Sequence, residues 1–97
     1  MFLAKCKKYN RFGISQDRIF VLSTTKVSLF SSRKCHTELR IADLRYIIQS
    51  MQSKEFVLQF DCDLRLTLID REDMLMYLKM RFANLCPNKG LKFFGIP

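Results

Sequence analysis

The 97-residue chain is 48% apolar, with nine Phe and three Tyr, which fills one hydrophobic core and excludes both a second domain and a disordered chain. Its net charge of +8 is densest at the start, where Lys5, Lys7, Lys8, Arg11 and Arg18 stand against Asp17 alone, and this favours anionic partners: phosphoinositide headgroups, anionic membrane, acidic protein or nucleic acid. No run approaches the ~20 apolar residues that cross a bilayer, and Met1–Ala4 gives way at once to Lys5, so neither a transmembrane segment nor a secretory signal is expected.

Lys5 to Ile14 reads KCKKYNRFGI, punctuated by Asn10 and Gly13. It is expected to be a basic, irregular lead-in within residues 1–16, with the sheet following over residues 17–69. Arg18–Thr24 (RIFVLST) is rich in β-branched and aromatic residues and predicts a strand apolar on both faces. Lys26–Phe30 predicts a second strand, with Val27 and Leu29 on one face and Lys26 and Ser28 on the other; Ser23–Thr25 between them predicts a hairpin. Ser31–Lys34 is a polar, basic turn. Thr37–Ile41 then alternates, with Leu39 and Ile41 inward and Glu38 and Arg40 outward.

Ala42–Leu44 has the look of a single helical turn, Arg45–Ser50 of a strand and Met51–Lys54 of a turn. Phe56, Leu58 and Phe60 share one face of the next strand, and Leu64, Leu66 and Leu68 one face of the strand after it. Period two over successive segments is the pattern of an antiparallel sheet with one wet side.

The period changes after Leu68. Asp70 is placed to cap a helix over residues 70–86, with Glu72 and Asp73 in its first turn, where acids favour the exposed amides. Leu75, Leu78, Phe82 and Leu85 recur at helical spacing, Met74 and Arg81 border them, and Lys79 faces away. Pro87, Asn88 and Gly90 end the run. One greasy helix stripe and one greasy sheet face require each other, so the fold class is α+β: a curved antiparallel sheet, a partly open barrel, closed by one C-terminal helix. The tail over residues 87–97 carries Phe93 and Phe94, too apolar to hang free; either they pack on the domain or the chain continues into more structure.

Nothing in the pattern predicts catalysis. His36 has no acid partner or nucleophile placed by sequence, and Gly13, Gly90 and Gly95 lie too far apart for a phosphate-binding loop. Asp61 and Asp63 read as solvated turn acids. Cys6, Cys35, Cys62 and Cys86 form no C-x-x-C, and Cys35 and His36 are neighbours on a strand that point to opposite faces; reduced cysteines of a cytoplasmic chain are expected, with no metal and no cofactor.

The candidate ligand set is therefore basic: Lys5, Lys7, Lys8 and Arg11, interleaved with Tyr9 and Phe12, together with Lys26, Arg33 and Lys34. Cations converging from loops at one open end of a curved sheet hold a phosphate headgroup or an acidic surface by charge-assisted hydrogen bonds. Nucleic acid is disfavoured, because the wet face offers Ser28, Glu38, Arg40, Gln59, Arg65 and Thr67 rather than aromatic platforms. A protein partner is the alternative, at a sheet edge or at Phe93 and Phe94.

Strands followed by one closing helix resemble the pleckstrin-homology superfold, and the words resemble the tail homology domain of class I myosins within it. Lys8, Asn10, Arg11 and Gly13 match that family's K-x-N-R-x-G, and RIFVLS at Arg18–Ser23 its next strand. RIADLRYI at Arg40–Ile47 and EFVLQF at Glu55–Phe60 follow in family order; Phe30 departs from the family's aromatic–aspartate pattern. The resemblance implies binding of phosphoinositide or acidic lipid at a cytoskeleton–membrane boundary, with Lys26 and Arg33 or Lys34 nearest the headgroup.

Overall fold

The computed structural model describes residues 1–97. The strands are β1 (Phe2–Tyr9), β2 (Ser15–Leu22), β3 (Lys26–Ser31), β4 (Lys34–Arg40), β5 (Tyr46–Ser50), β6 (Glu55–Gln59), β7 (Asp63–Thr67) and β8 (Lys92–Ile96), with helix α1 (Arg71–Leu85) between β7 and β8. They form one sheet in the order β4-β3-β2-β1-β7-β6-β5-β8, antiparallel except where β8 joins β5 in parallel. β4 and β8 stay unpaired at the two ends, so the barrel is bent but not closed.

β1 is the hinge of the sheet. It pairs with β2 along its whole length but with β7 only at Lys7–Tyr9, so the two halves of the sheet diverge beyond that joint. The lead-in expected to be irregular is thus a strand. Its inward residues are Phe2, Ala4 and Cys6; the lysines hide this modest alternation, and pairing on both sides supplies what local propensity does not. Irregular structure begins only at Asn10, and residues 2–9 belong to the sheet.

The remaining strands follow their sequence pattern. Phe20, Leu22, Val27, Leu29, Ile47, Phe56, Leu58, Leu64, Leu66 and Leu68 all face one core. Helix α1 lies across one end and contributes Met74, Leu75, Leu78 and Phe82 to it. Met74, expected at the border of the stripe, is wholly buried, whereas Leu85 is 40% exposed, because the last turn runs past the edge of the sheet. At ~1.5–3 kcal/mol for each fully buried large side chain, the four residues contribute roughly 6–12 kcal/mol before chain entropy opposes them. The opposite end of the barrel has no such cover.

Asp70 stands at the N-cap position but makes no side-chain capping bond. The helix start is anchored instead by Arg71, whose guanidinium is buried. Its Nη1 donates to the carbonyls of Ser50 at 2.8 Å, Ser53 at 2.8 Å and Glu55 at 3.0 Å, while Nε and Nη2 reach Glu72 Oε1. The β5–β6 turn and the strand ends that flank it are thereby tied to the helix.

The tail does not hang free. Residues Lys92–Ile96 add to β5 as the edge strand β8, in register Ile47↔Phe93 and Ile48↔Phe94. Phe93 is half-buried beneath the Lys79 ammonium, 3.7 Å from its ring centre, and Phe94 meets Tyr46 edge-on. A tail of five residues carries too short a pattern to announce a parallel pairing across a whole helix.

Replacing Arg71 with Ala removes the donor to these three carbonyls and should lower unfolding stability by about 2–4 kcal/mol in urea titration. Arg71→Lys should recover only part, since one ammonium cannot span carbonyls and carboxylate as the fork does. Stability within error of wild type in both variants would refute the anchor.

Candidate functional site

Two antiparallel meanders, β1–β4 and β5–β7, joined through antiparallel β1–β7 pairing, set which connections share an end. The β2–β3 turn and the start of β1 lie at the end covered by α1, where Phe2 touches the Tyr77 ring. The β1–β2 loop, the β3–β4 turn and the β6–β7 turn gather at the uncovered end.

Two of these connections are built rigidly. In the β1–β2 loop, Asn10 Oδ1 accepts hydrogen bonds from the amides of Phe12 at 2.9 Å and Ile14 at 3.1 Å, and Gly13 takes φ +78°. Arg11 is therefore displayed on a fixed loop, stacked on the exposed ring of Phe12 at 5.1 Å. Phe12 is not a core residue, and Tyr9 is half-buried under the Arg65 guanidinium. The β3–β4 turn places Ser32 at φ 48° and Arg33 at φ 70°, both left-handed and neither glycine. Such a pair suits a two-residue hairpin but costs of order 1 kcal/mol or more per residue, and strain of this kind collects at working surfaces.

Behind the loops, β1, β2 and β4 bring Lys8, Arg18, Lys34 and His36 close together. The His36 pKa is held below the usual imidazole value, first by loss of water against the strand and then by the charges of Arg18, Lys34 and Lys8. Arg18 Nη1 donates to the Asp17 carbonyl and Nη2 to Gln16, but its Nε is shut from solvent with no acceptor. An unpaired buried donor is costly, about 1–3 kcal/mol, and marks this wall of the mouth as under-satisfied.

The charge pattern separates this end from the rest of β1–β4, where only Lys5 is also free of an acid. Carboxylates pair with Lys7, Lys26, Arg40, Arg45, Lys54 and Arg65. Lys8, Arg11, Arg18, Arg33 and Lys34 have no acid partner, and all five belong to the open end. The opposing acids, Asp61 and Asp63, sit on the β6–β7 turn, where Asp61 binds Arg45 at 2.8 Å.

The basic set expected from sequence is thus divided. Lys8, Arg11, Arg33 and Lys34 meet at the mouth. Lys5 and Lys7 point outward from the middle of β1, with Lys7 bound to Asp17 at 2.8 Å. Lys26 starts β3 at the far end and pairs with Glu38 at 2.8 Å, so it does not join the cluster. Arg18 and His36 were missed as site residues. Arg18 read as part of a strand and His36 as a poor metal ligand, and only register places them beside Lys8. No three of His, Cys, Asp and Glu gather to hold a metal, and burial pushes the Cys6 thiol up to about 11, away from nucleophilic use.

No family model matches the chain, and no curated protein matches its sequence. Solved structures do. The PH domain of human oxysterol-binding protein-related protein 11 superposes with a TM-score of 0.74 at 19% identity, over 92% of this chain and 85% of that one. The N-terminal PH domain of human ARAP2 gives 0.77 at 9% identity, over 92% and 84%. The DH/PH domain of human ARHGEF11, in a ternary complex with human RhoA and its inhibitor, gives 0.73 at 13% identity, over 87% of this chain and 29% of that chain. The fold is therefore that of the pleckstrin-homology superfold. At these identities the likeness concerns backbone architecture alone.

A polyanion seated at the mouth would offset the part of the His36 depression that comes from the charges of Arg18, Lys34 and Lys8, and so raise its pKa. Binding then takes up a proton. Affinity for vesicles containing phosphatidylglycerol, a phosphodiester that does not titrate in this range, should rise as pH falls through the ordinary His value of about 6.5 and stay flat above it. His36→Gln should flatten the profile; a wild-type profile that is flat or inverted would count against the cluster as an anion seat.

Proposed function

We propose that this chain is a non-catalytic binding module whose open end takes the headgroup of an acidic phospholipid, of phosphoinositide class, at a membrane surface. The observation that carries this reading is the segregation of unpaired cations. Along β1–β4 and their connections, acids neutralise the other cations except Lys5, while Lys8, Arg11, Arg18, Arg33 and Lys34 are left free at one end. Two rigid connections hold Arg11 and Arg33 outward, and Arg18 offers a buried, unsatisfied N–H. Polyvalent phosphate fits such a seat, since each oxygen accepts from a different cation. The resemblance of the β1–β2 loop words to the tail homology domain of class I myosins supports placing the module at a cytoskeleton–membrane boundary in the cytoplasm.

Liposome cosedimentation tests the reading. Binding should grow with the fraction of phosphoinositide or phosphatidylserine and fall with salt. The double variant R33E/K34E should weaken it about tenfold or more, on the basis of about 1 kcal/mol for each basic group near the surface. K26E, remote and already paired, should change it little. No sedimentation with any acidic vesicle at low salt would end the proposal.

A second reading is a protein-interaction module, favoured by the outer edge of β8. The β4 edge is guarded by Lys34, His36, Glu38 and Arg40, whereas β8 offers unpaired backbone beside half-exposed Phe94 and Ile96. An extended acidic segment of a partner could add there. On this reading F94D/I96D abolishes recovery of a protein partner and leaves liposome binding intact; unchanged recovery removes that edge from consideration.

A further inference from the structure

The flank of the barrel carries a second groove, which meets the mouth at Arg18 and Ser32. It measures about 720 Å³ and is bounded by residues 5–7, 17–19, 30–32 and 67–69 with Lys54 of the β5–β6 turn. Cross-strand register sets Lys5 opposite Ile19 and Ile19 opposite Phe30, and sets Lys7 opposite both Asp17 and Thr67. All of these point away from the core, whereas the alternate residue Cys6 faces inward. Of the mouth cluster only Arg18 borders it; Lys8, Arg11, Arg33, Lys34 and His36 do not.

The groove has apolar walls on what should be the wet face of a sheet. Ile19 and Phe30 are only half-buried, and Ile69, just before the helix, is 83% exposed. Three ammonium groups and the Arg18 guanidinium border it against one carboxylate, Asp17. Lys7 is bound to Asp17 at 2.8 Å and Lys54 to Glu72 at 3.1 Å. Lys5 has no acid partner, although its charge is felt at Asp17. The volume lies within the range of small-molecule sites, and apolar walls with few placed polar groups are their usual composition.

We propose that this groove binds a single-chain amphiphilic anion, either a fatty acid or a lysophospholipid, with its anionic group on Lys5 and its alkyl chain along Ile19, Phe30 and Ile69. The charge at the rim selects an anion. The walls select a chain, because covering Ile19, Phe30 and Ile69 removes apolar surface from water. A small anion without a chain meets only an exposed ammonium and gains little. A cationic amphiphile of the same length fits the walls but faces Lys5 with like charge.

The proposal is tested by ¹H–¹⁵N correlation spectra of the whole chain, titrated below the micellar concentration with dodecanoate, lauroyl lysophosphatidic acid, dodecyltrimethylammonium and acetate. Either or both anionic amphiphiles should move the amides of Lys5, Ile19, Phe30 and Thr67 saturably; which of them does so identifies carboxylate or phosphate as the preferred group. Acetate and the cationic amphiphile should leave these amides in place. K5E and F30S should each weaken binding at least about tenfold. I69S alters a side chain that packs on nothing, so it keeps the fold and should weaken binding in the same direction. The R33E/K34E variant should retain dodecanoate binding while losing the shifts that inositol hexakisphosphate causes at the mouth, which separates the two sites. Absence of saturable shifts in the groove for both anionic amphiphiles, equal binding of the cationic one, undiminished binding in I69S and F30S, or loss of dodecanoate in R33E/K34E would overturn it.

Discussion

One end of a bent sheet is plugged by a helix, and this apolar contact decides what the other end can be. Met74, Leu75, Leu78 and Phe82 fill the barrel from the side where Phe2 and the β2–β3 turn lie. The helix is long enough for one opening only. Antiparallel pairing of β1 with both β2 and β7 then sends the β1–β2, β3–β4 and β6–β7 connections to the uncovered rim. Roofing and exposure are two consequences of a single packing event.

Arg71 holds that arrangement at the helix start. A buried guanidinium is costly unless its donors find acceptors, and here the carbonyls of Ser50, Ser53 and Glu55 supply them. The turn and the helix satisfy each other. This couples the β5–β6 half of the sheet to the helix, while β1 couples both halves to each other through its short shared pairing with β7.

Electrostatics divides the surface more sharply than the net charge suggests. Exposed ion pairs such as Lys26–Glu38 and Arg40–Asp43 contribute little to stability, but they neutralise the flanks. At the mouth they leave a local excess of cations, faced only by the acids of the β6–β7 turn. The strained β3–β4 turn and the Asn10-organised β1–β2 loop fix the directions of Arg33 and Arg11, so less ordering entropy is lost when an anion arrives.

Much of this was written in the sequence. Alternation through Phe56–Phe60 and Leu64–Leu68 and the helical stripe from Leu75 identified the sheet, the helix and the core between them, because burial imposes its period on consecutive residues. Asn10 and Gly13 marked a tight loop for the same local reason: one side-chain acceptor and one left-handed backbone suffice to make it. Non-local pairing left no such mark. β1 is a strand because β2 and β7 flank it, β8 because β5 had a free edge, and Lys8, Arg18, Lys34 and His36 meet because register brings three strands together. Lys26 fell away from the cluster by the same rule, since the strand it opens runs in the other direction. The sequence by itself determined which residues must leave water; only the tertiary structure decided which charges become neighbours, because that depends on strand order and direction rather than on spacing along the chain.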